Sequence, residues 1–432
     1  MTTKSKSTVL YGDIKPDDVV RLHSDAFVVL GSRLYSTFYK EQQARQDVPY
    51  LVRHVDSSYI ELIPLQGVDS APEFVENRAA EFSYLSDVEI RDLHPFIARA
   101  KMQAIGTGYG PFIGCDPELF IVDANDTVIP AWEFLPAQGK GIRNQAAEFW
   151  DGFQAEFTPT PHSCHVELVH KVQRHISSLS TKARQHSDGA WLTYRSAVKV
   201  PLAMMQAASD EHVALGCAPS TNVYSGVRPL SVDNPRSLAL RFAGCHMHFG
   251  VHLSPVERGR AIRMMDVLQG MLSVSLFQGM EDTRRRQFYG RAGEYRLPAH
   301  GLEYRTPSSA CLANPPLFHL NFDLARFALA LARHNIQPFV RGGDAEVQAI
   351  INDYDIKGAQ RFIEANESAL LSIFRRLSYY WNNGDRNEKK AQSKVLALLM
   401  EGAMQHMNID NDVAQNWSVH IPFVSWLNRA DK

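Results

Sequence analysis

The amino-acid sequence predicts an α+β fold, with a largely antiparallel sheet and helices grouped before, within and after it. Short segments in which apolar and polar residues alternate, typical of strands, carry acids, histidines and arginines through residues 109–316. Helical patterns interrupt this stretch at residues 167–208 and 255–280 and dominate residues 317–407. The length of 432 residues predicts two or three structural units, and the chain contains no internal repeat.

Changes in pattern along the chain divide it into three parts. Residues 1–100 form a mixed α/β accessory region, in which DAFVVLG, YLVRHV and YIELIPL are typical of short strands and residues 71–104 are richer in helix formers. Residues 101–335 form a central domain that holds most of the polar strands. Residues 336–432 form a helical region that we expect to pack on the central domain.

Composition favours an ordinary globular protein. The formal net charge of −2 gives no general attraction to nucleic acid or to a membrane surface. No run of about 18 apolar residues predicts a membrane helix, and the N-terminal segment lacks the apolar run of a signal peptide. The five cysteines are scattered singly without a CxxC pair. We therefore expect a cytoplasmic protein in a reducing environment, without disulfides.

The segment GCDPELFIVD, residues 114–123, is the first candidate site. Residues two apart in a strand share a face, so Asp116 and Glu118 point the same way. Two carboxylates about 7 Å apart repel each other unless water or cations separate their charges. The segment therefore predicts either a metal-binding strand or an edge strand with a solvated acidic face.

A lone acid marks the second candidate, WDGFQAEFTPTP, residues 150–161. Glu156 shares a strand face with Gln154, whereas Phe153, Ala155 and Phe157 occupy the opposite, core-like face. Glu156 is either a further metal ligand or a surface glutamate. Asp151 precedes Gly152 and is also consistent with a simple turn.

The most specific pattern is AGCHMHFGVHLSP, residues 243–255. His246, His248 and His252 fall on one strand face, and the residues between them are all apolar. A row of imidazoles on a buried strand predicts a metal site, because histidine is a common metal ligand. Histidines that are hydrogen-bonded within the core are the alternative.

A basic, glycine-rich stretch, RRRQFYGRAGEYRLPAHGLEYRTP, follows at residues 284–307. Its arginines include Arg291, Arg296 and Arg305, and Glu303 shares a strand face with Arg305. The planar guanidinium suits phosphate and carboxylate oxygens. For Arg284, Arg285 and Arg286 a solvated helix end is the plain alternative.

Together these segments predict a site of carboxylates and imidazole beside a cluster of arginines. Such ligands suit Mg²⁺ or Mn²⁺, and the arginines suit a polyphosphate. No Walker A or GxGxxG motif is present, so a nucleotide would be held by the sheet itself. Zinc is a weaker alternative, because the sequence has no CxxC or HExxH motif.

The order of these motifs resembles glutamine synthetase and the glutamate–cysteine ligases. The segments GCDPE, HMHFG, YGRAGEYR and LEYRT are most similar to the phage-type COOH-NH2 ligases, type 2, of the same amidoligase superfamily. The resemblance covers residues 114–316 and not the first hundred residues. It implies a glutamine-synthetase-like catalytic fold for residues 101–335 and, if the chain is of phage origin, a location in the host cytoplasm.

The resemblance also implies an activity: ATP-dependent joining of a small-molecule or peptide carboxylate to an amine through an acyl-phosphate, with ATP and Mg²⁺ or Mn²⁺ as cofactors. It implies neither a nucleic-acid nor a membrane partner and leaves the oligomeric state open. The implied metal ligands are Asp116, Glu118, Glu156, His246 and Glu303. The implied nucleotide contacts are His248, Arg291 and Arg296, and the implied catalytic residues are Glu118, Arg291, Arg296 and Arg305.

Three points stay open at the level of sequence. The third acid of the first metal site has Asp151, Glu148 and Glu167 as candidates. The ammonium-binding acid of glutamine synthetase has no clear counterpart, which favours an amine on a larger molecule. A phosphotransferase related to the guanidino kinases, which share the fold, and a non-catalytic metal-binding structural or virion-associated protein are the alternatives.

Overall fold

A computed structural model describes much of the chain, in two compact units that span residues 1–107 and 108–432. The described residues are 8–10, 13–15, 18–22, 27–30, 40–43, 48–55, 60–65, 73–75, 81–93, 112–139, 147–162, 165–214, 220–228, 234–251, 253–333, 339, 343–371 and 388–418. Among them, no helix combines the length and apolar character needed to cross a membrane.

The first unit is an antiparallel sheet with the strand order β1-β8-β2-β5-β6-β7-β3-β4. Its strands are β1 Thr8–Leu10, β2 Val19–Leu22, β3 Phe27–Leu30, β4 Lys40–Gln43, β5 Pro49–Val55, β6 Ile60–Pro64, β7 Glu73–Val75 and β8 Glu81–Tyr84. Alternate residues of β2, β5 and β8, such as Val20, Tyr50 and Phe82, form its core. The three segments predicted as strands lie in β3, β5 and β6.

Residues 71–104 are rich in helix formers, but two segments within them, β7 and β8, are strands. EFSY in β8 alternates polar and apolar residues and pairs with β1 and β2. Helix α1, Asp87–Asp92, follows with a capping box between Ser86 and Glu89. Residues 71–72, 76–80 and 94–104 lie outside the described residues.

The second unit is built on a sheet with the order β11-β12-β9-β18-β20-β19-β15-β16, and β10 and β13 also pair with β9. Its strands are β9 Ile113–Val122, β10 Val128–Ile129, β11 Glu148–Asp151, β12 Gln154–Phe157, β13 Trp191–Thr193, β14 Ala197–Lys199, β15 Ser220–Asn222, β16 Gly226–Arg228, β17 Leu240–Phe242, β18 Cys245–Phe249, β19 Glu294–Arg296 and β20 Leu302–Tyr304. Strands β14 and β17 form a separate antiparallel pair.

Helices cover much of the rest of the second unit. They are α2 His165–His186, α3 Leu202–Ala207, α4 Asp210–Val213, α5 Pro255–Met265, α6 Leu272–Leu276, α7 Arg285–Phe288, α8 Pro315–Arg333, α9 Asp344–Asn352, α10 Ile356–Ala365, α11 Glu388–Glu401, α12 Ala403–His406 and α13 Val413–Ser418, and a π-helical segment, Asp266–Met271, joins α5 to α6. The α+β prediction with a mostly antiparallel sheet is confirmed, since every pairing between the described strands is antiparallel.

One helix is shorter than predicted. The expected helix over residues 167–208 ends at His186, and Trp191–Thr193 forms β13 instead. Gly189 has a φ of +76°, a left-handed conformation that glycine adopts without strain and that lets the chain turn back toward the sheet. Residues 372–387 and 419–432, which belong to the region expected to be helical, lie outside the described residues.

Strand β9 is the centre of the second unit. Its first half lies between β12 and β18, and its second half pairs with β10 and β13. All of its residues are buried except Asp116, which is half-buried. The edge-strand alternative for GCDPELFIVD is therefore excluded.

Candidate functional site

The register of the second sheet brings the predicted residues together. Asp116 on β9 lies opposite His246 on β18, and Glu118 lies opposite Glu156 on β12. On the other side of β18, His248 lies opposite Glu303 on β20. Facing residues on neighbouring strands have Cβ atoms about 5 Å apart, so each pair can share a ligand.

A first cluster forms around Asp116. Its Oδ1 lies 3.2 Å from His246 Nδ1, and its Oδ2 lies 3.2 Å from His248 Nε2. Glu303 Oε1 lies 3.7 Å from His246 Nδ1. The oxygen and nitrogen atoms that Asp116, His248 and Glu303 offer lie within 4.8 Å of one another, close enough to hold one metal ion.

The side-chain oxygens and nitrogens that face one another in this cluster lack hydrogen bonds of good geometry. Asp116 Oδ1, His246 Nδ1, His248 Nε2 and Glu303 Oε1 are buried, and none makes a hydrogen bond within the described part of the chain. Buried polar atoms are normally hydrogen-bonded, so their convergence without such bonds needs another partner. A divalent cation between them would satisfy all four, and the carboxylate oxygens are ligands of the kind that binds Mg²⁺ or Mn²⁺.

Charge within the first cluster is uneven. Burial disfavours the ionised form of Asp116, but the neighbouring His246 and His248 outweigh it and hold the pKa of that carboxyl well below its usual range. Burial also opposes the charged form of His248, and Asp116 outweighs it and raises the pKa of that imidazole. Asp116 is thus the fixed negative centre of the cluster.

A second cluster consists of acids alone. Carboxylate oxygens of Glu118, Asp151 and Glu156 lie within 4.8 Å of one another. Burial, together with neighbouring acids, raises the pKa of Glu118 to about 7 and that of Asp151 to about 6, and raises the pKa of Glu156 well above its usual value. Three acids this close cannot all be ionised without a compensating charge, and a divalent cation supplies one.

The structure distinguishes between the three candidates for the additional acid. Asp151 lies in the second cluster. Glu148 points instead toward α2, where it accepts hydrogen bonds from Ser178 and Lys182 and contacts His175 at 2.9 Å. Glu167 is exposed on α2.

The arginines divide into two groups. Arg305 is buried, with its Nε 3.2 Å from Glu303 Oε1 and its Nη1 donating to the Ser220 hydroxyl at 2.8 Å. Arg296 is half-buried, with its Nε 3.7 Å from the same Glu303 oxygen. Both guanidinium groups therefore border the first cluster. For Arg291 the structure defines a backbone carbonyl that accepts from the Thr306 hydroxyl, and its side chain is half-buried.

Arg285 and Arg286, at the start of the basic stretch, are structural rather than solvated. Arg285 donates to the carbonyl oxygens of Ala243, Thr306 and Pro307, and Arg286 donates to those of Gly290 and Thr306. Both are fully buried beside Glu281. Arg284 is exposed and pairs with Asp282. The solvated-end alternative is thus wrong for Arg285 and Arg286, because the chain folds back over them.

Two residues at the site were not predicted from the sequence. Tyr289 contacts both Glu118, with 3.2 Å between Oη and Oε1, and His246. His300 lies 3.0 Å, nitrogen to nitrogen, from His248. Both belong to the basic, glycine-rich stretch, which was the available signal. His252, the third histidine of the predicted row, lies outside the described residues.

A cavity of about 220 Å³ opens beyond the ends of β18 and β20. Its walls combine polar and apolar atoms and include one cationic side chain; the lining residues are Val251, Leu253, Arg258, Leu297, Pro298, Gly301 and Leu302. The same turn between β19 and β20 carries His300, which contacts His248. The cavity thus adjoins the rim of the first cluster.

Comparison with known proteins gives a match to a family and a distant similarity to a solved structure. No curated protein matches the chain. The crystal structure of a bifunctional glutathione synthetase from Pasteurella multocida aligns with 78% of this chain at 10% identity and a TM-score of 0.34. The chain spans about half of that protein, 53% of its length. A TM-score of this size does not establish a shared fold.

The family match falls on the C-terminal half of the site. The model of the family described as Phage phiEco32-like COOH.NH2 ligase-type 2 matches residues 237–419. This range includes His246, His248, Arg296, Glu303 and Arg305, whereas the acids on β9, β11 and β12 precede it. Over residues 237–419 the predicted resemblance to the phage-type COOH-NH2 ligases, type 2, is therefore confirmed.

Proposed function

We propose that this protein is an ATP-dependent carboxylate–amine ligase that works through an acyl-phosphate on a glutamine-synthetase-like catalytic domain. The observation that carries the proposal is the meeting of two metal-type clusters, on adjacent strands, with two arginines on their rim. The family match over residues 237–419 supports the same activity through its name. Its substrates are a small-molecule or peptide carboxylate and a second molecule that donates the amine.

Each cluster would hold one divalent cation, Mg²⁺ or Mn²⁺. Asp116, His246 and Glu303 would hold the first, and His248, whose Nε2 also lies within reach of that ion, would in addition face the nucleotide. Glu118, Asp151 and Glu156 would hold the second. When bound, such cations offset the charge of the ATP phosphates and polarise the phosphoryl group that is transferred.

The arginines would carry the rest of the phosphate charge. In the first step a carboxylate oxygen of the substrate attacks the γ-phosphorus of ATP, and the bond to the bridging oxygen breaks and releases ADP. Negative charge is then spread over the phosphoryl oxygens, where the guanidinium groups of Arg296 and Arg305 offset it. Glu303 contacts both guanidinium groups and orients them. Arg291 belongs to the same loop, and we propose that it also contacts phosphate.

The second step needs a group that accepts a proton. The amine nitrogen attacks the acyl carbon, inorganic phosphate leaves, and the nitrogen loses a proton. Both carboxylate oxygens of Glu118 already accept hydrogen bonds, from the Gly244 amide and from the Tyr289 hydroxyl. Asp151 is half-buried whereas Glu118 is buried, so the Asp151 carboxylate is the more accessible of the two to an incoming amine. We therefore propose that Asp151, rather than Glu118, accepts the proton that the amine loses.

The cavity beyond β18 and β20 is the proposed site of the nucleoside end of ATP. Aliphatic side chains among the lining residues suit the face of a nucleobase, and Arg258 adds a cation to the lining. His300, on the turn that borders this cavity, contacts His248 of the first cluster, so the two sites would be close enough for one nucleotide. The sequence contains no Walker A or GxGxxG motif that would bind the nucleotide at another place.

The decisive experiment is trapping with hydroxylamine. The purified protein, ATP and Mg²⁺ are incubated with panels of amino acids, short peptides and other carboxylates, and hydroxylamine serves as the amine. Formation of a hydroxamate together with ADP supports the ligase. ADP with a phosphorylated acceptor and no hydroxamate would instead indicate a phosphotransferase. A folded protein that binds neither ATP nor metal would refute both and leave a structural role.

A further inference from the structure

Tyr289 stands between the two clusters. It follows α7, and its hydroxyl oxygen lies 3.2 Å from Glu118 Oε1 and within hydrogen-bonding distance of His246 Nε2. Glu118 belongs to the second cluster, and His246 Nδ1 faces the first. Among the described residues, this phenol makes hydrogen-bonding contacts to a member of each cluster.

Two guanidinium groups and an imidazole ring pack against the ring of Tyr289. The guanidinium carbon of Arg285 lies 4.7 Å from the ring centre, and that of Arg305 lies 5.3 Å from it. The Tyr289 amide donates to the Arg285 carbonyl at 2.8 Å. Its ring also meets that of His246 edge-on, with 5.3 Å between centroids. The hydroxyl is therefore positioned by packing as well as by its own hydrogen bonds.

The two nitrogens of His246 face different surroundings. Nδ1 is buried, lies 3.2 Å from Asp116 Oδ1 and 3.7 Å from Glu303 Oε1, and forms no hydrogen bond within the described structure. A neutral imidazole binds a metal ion through the nitrogen that carries no proton. For Nδ1 to be that nitrogen, the proton must sit on Nε2, and Nε2–H then needs an acceptor.

Tyr289 provides this acceptor, because Glu118 fixes the direction in which the Tyr289 hydroxyl points its hydrogen. The Tyr289 O–H donates to Glu118 Oε1, and the other oxygen of that carboxylate accepts from the Gly244 amide, so Glu118 is an acceptor at both oxygens. The phenol oxygen then accepts from His246 Nε2–H through a lone pair. Glu118, an acid of the second cluster, thereby sets the direction of both hydrogen bonds, the one from His246 to Tyr289 and the one from Tyr289 to Glu118.

We propose that Tyr289 is a positioning residue that holds His246 in the Nε2–H tautomer and so couples the ligands of the two metal clusters. The inference rests on the proposed function in taking a divalent cation as the partner of Nδ1. Hydrogen bonds to the second nitrogen of a metal-binding histidine commonly contribute about 10-fold to 100-fold in metal affinity. Loss of the single phenol oxygen should therefore weaken Mn²⁺ binding by about that factor.

The first test reads the tautomer without metal or substrate. The full chain, labelled with ¹⁵N in its histidines and freed of metal, is studied by long-range ¹H–¹⁵N correlation at about pH 8.5, where imidazole is neutral. The His246 signals are identified by their absence from the His246→Gln variant. The proposal expects a proton on Nε2 in the wild type and a shift toward Nδ1–H in Tyr289→Phe. A wild-type proton on Nδ1 would overturn it.

The second test measures Mn²⁺ alone, by calorimetry, in the wild type, in Tyr289→Phe and in Tyr295→Phe. Tyr295 is a buried tyrosine on β19 whose ring contacts Arg258, so its variant controls for losing any phenol oxygen. We expect affinity to fall about 10-fold to 100-fold in Tyr289→Phe and to change less than about twofold in the control. Equal affinities in the two variants would refute the coupling. If the wild type bound no Mn²⁺, the proposed metal site would fail, and the tautomer alone would decide the inference.

Discussion

Glu118 and Gly244 are joined by two hydrogen bonds: the Glu118 amide donates to the Gly244 carbonyl at 3.0 Å, and the Gly244 amide donates to Glu118 Oε2 at 2.7 Å. The backbone and the side chain of one residue are thus held by the backbone of the other. The Glu118 carboxylate has one oxygen fixed by Gly244 and the other directed toward Tyr289. The orientation of an acid in the second cluster therefore depends on a residue that has no side chain.

Replacing Gly244 by alanine should disturb both clusters. A Cβ at this position would lie 2.8 Å from His246 Nε2 and 3.1 Å from Tyr289 Oη, closer than ordinary contacts. We expect a loss of about 1–3 kcal/mol in the free energy of unfolding and a fall of at least about tenfold in Mn²⁺ affinity. Denaturant unfolding and calorimetry would measure these changes.

Gly250→Ala is the matched control for Gly244→Ala. A Cβ on Gly250 would meet Phe112 at 3.5 Å, an ordinary contact, in the same part of the chain. If both variants bound Mn²⁺ with equal strength, the close approach at Gly244 would have no role at the site.

Removing a single negative charge from either cluster should stop turnover without unfolding the protein. Glu303→Gln and Glu118→Gln keep the size of the side chain but give up an anionic ligand, so ADP formation with Mg²⁺ and ATP should fall about a hundredfold or more. Glu167→Gln changes an exposed acid on α2 and should leave the rate unchanged. Normal ADP formation in either cluster variant would show that the assigned acids are not part of the site.

Arg305 and Arg285 should respond differently to the same substitution. In Arg305→Lys the planar group that contacts Glu303 and Ser220 is lost, so we expect little change in stability but a rate lower by about tenfold to a thousandfold. In Arg285→Lys the protein loses hydrogen bonds to three carbonyl oxygens, so we expect a lower free energy of unfolding, by about 1–3 kcal/mol. Melting temperature and ADP formation, measured for both variants, separate the two roles. A loss of stability in Arg305→Lys but not in Arg285→Lys would contradict the assignment of these roles.

Asp266 should give the second unit a measurable pH dependence of stability. Its buried carboxylate accepts hydrogen bonds from Tyr224, Gly293 and Tyr304, yet burial still raises its pKa from 3.8 to about 6. Because the folded pKa is the higher one, the stabilising contribution is complete below about pH 4 and is lost as the pH rises through 6. The loss amounts to about 3 kcal/mol for a shift of this size.

Asp266→Asn is the variant that isolates this effect. Asparagine resembles the protonated acid, so the difference in unfolding free energy between wild type and variant should change by about 3 kcal/mol between pH 4 and 7. All six tryptophans of the chain lie beyond residue 107, so tryptophan fluorescence follows the second unit alone. A difference that does not vary with pH would show that Asp266 does not titrate in this range.

Strand periodicity predicted which side chains share a face, and much of the site follows from it. Asp116 with Glu118, and His246 with His248, lie on the site side of β9 and β18 as the alternation of apolar residues indicated. The pairing of these strands was not predictable, because Glu118 and Gly244 are 126 positions apart. Local pattern carries no information about which distant strand will be the neighbour.

Other residues show where sequence reasoning stops. Tyr289 belongs to a loop without periodicity, and its partners come from two other strands, so nothing local marks it. Arg285 and Arg305 cannot be told apart in the sequence, because both are arginines of the same basic stretch. Only the fold shows that Arg285 donates to backbone carbonyl oxygens whereas Arg305 faces the site. Asp151 and Glu148 likewise became distinguishable only when α2 was seen to provide partners for Glu148.

The central position of β9 has a consequence for synthesis of the protein. At a rate of about 5–20 residues per second, β9 leaves the ribosome on the order of ten seconds before β18 can pair with it. During that interval a largely apolar strand has one open edge, which invites pairing with other chains. Asp116 and Pro117, in the middle of β9, discourage such contacts by charge and by the missing amide. One of the acids proposed to bind metal in the finished protein would thus also protect the nascent chain from aggregation.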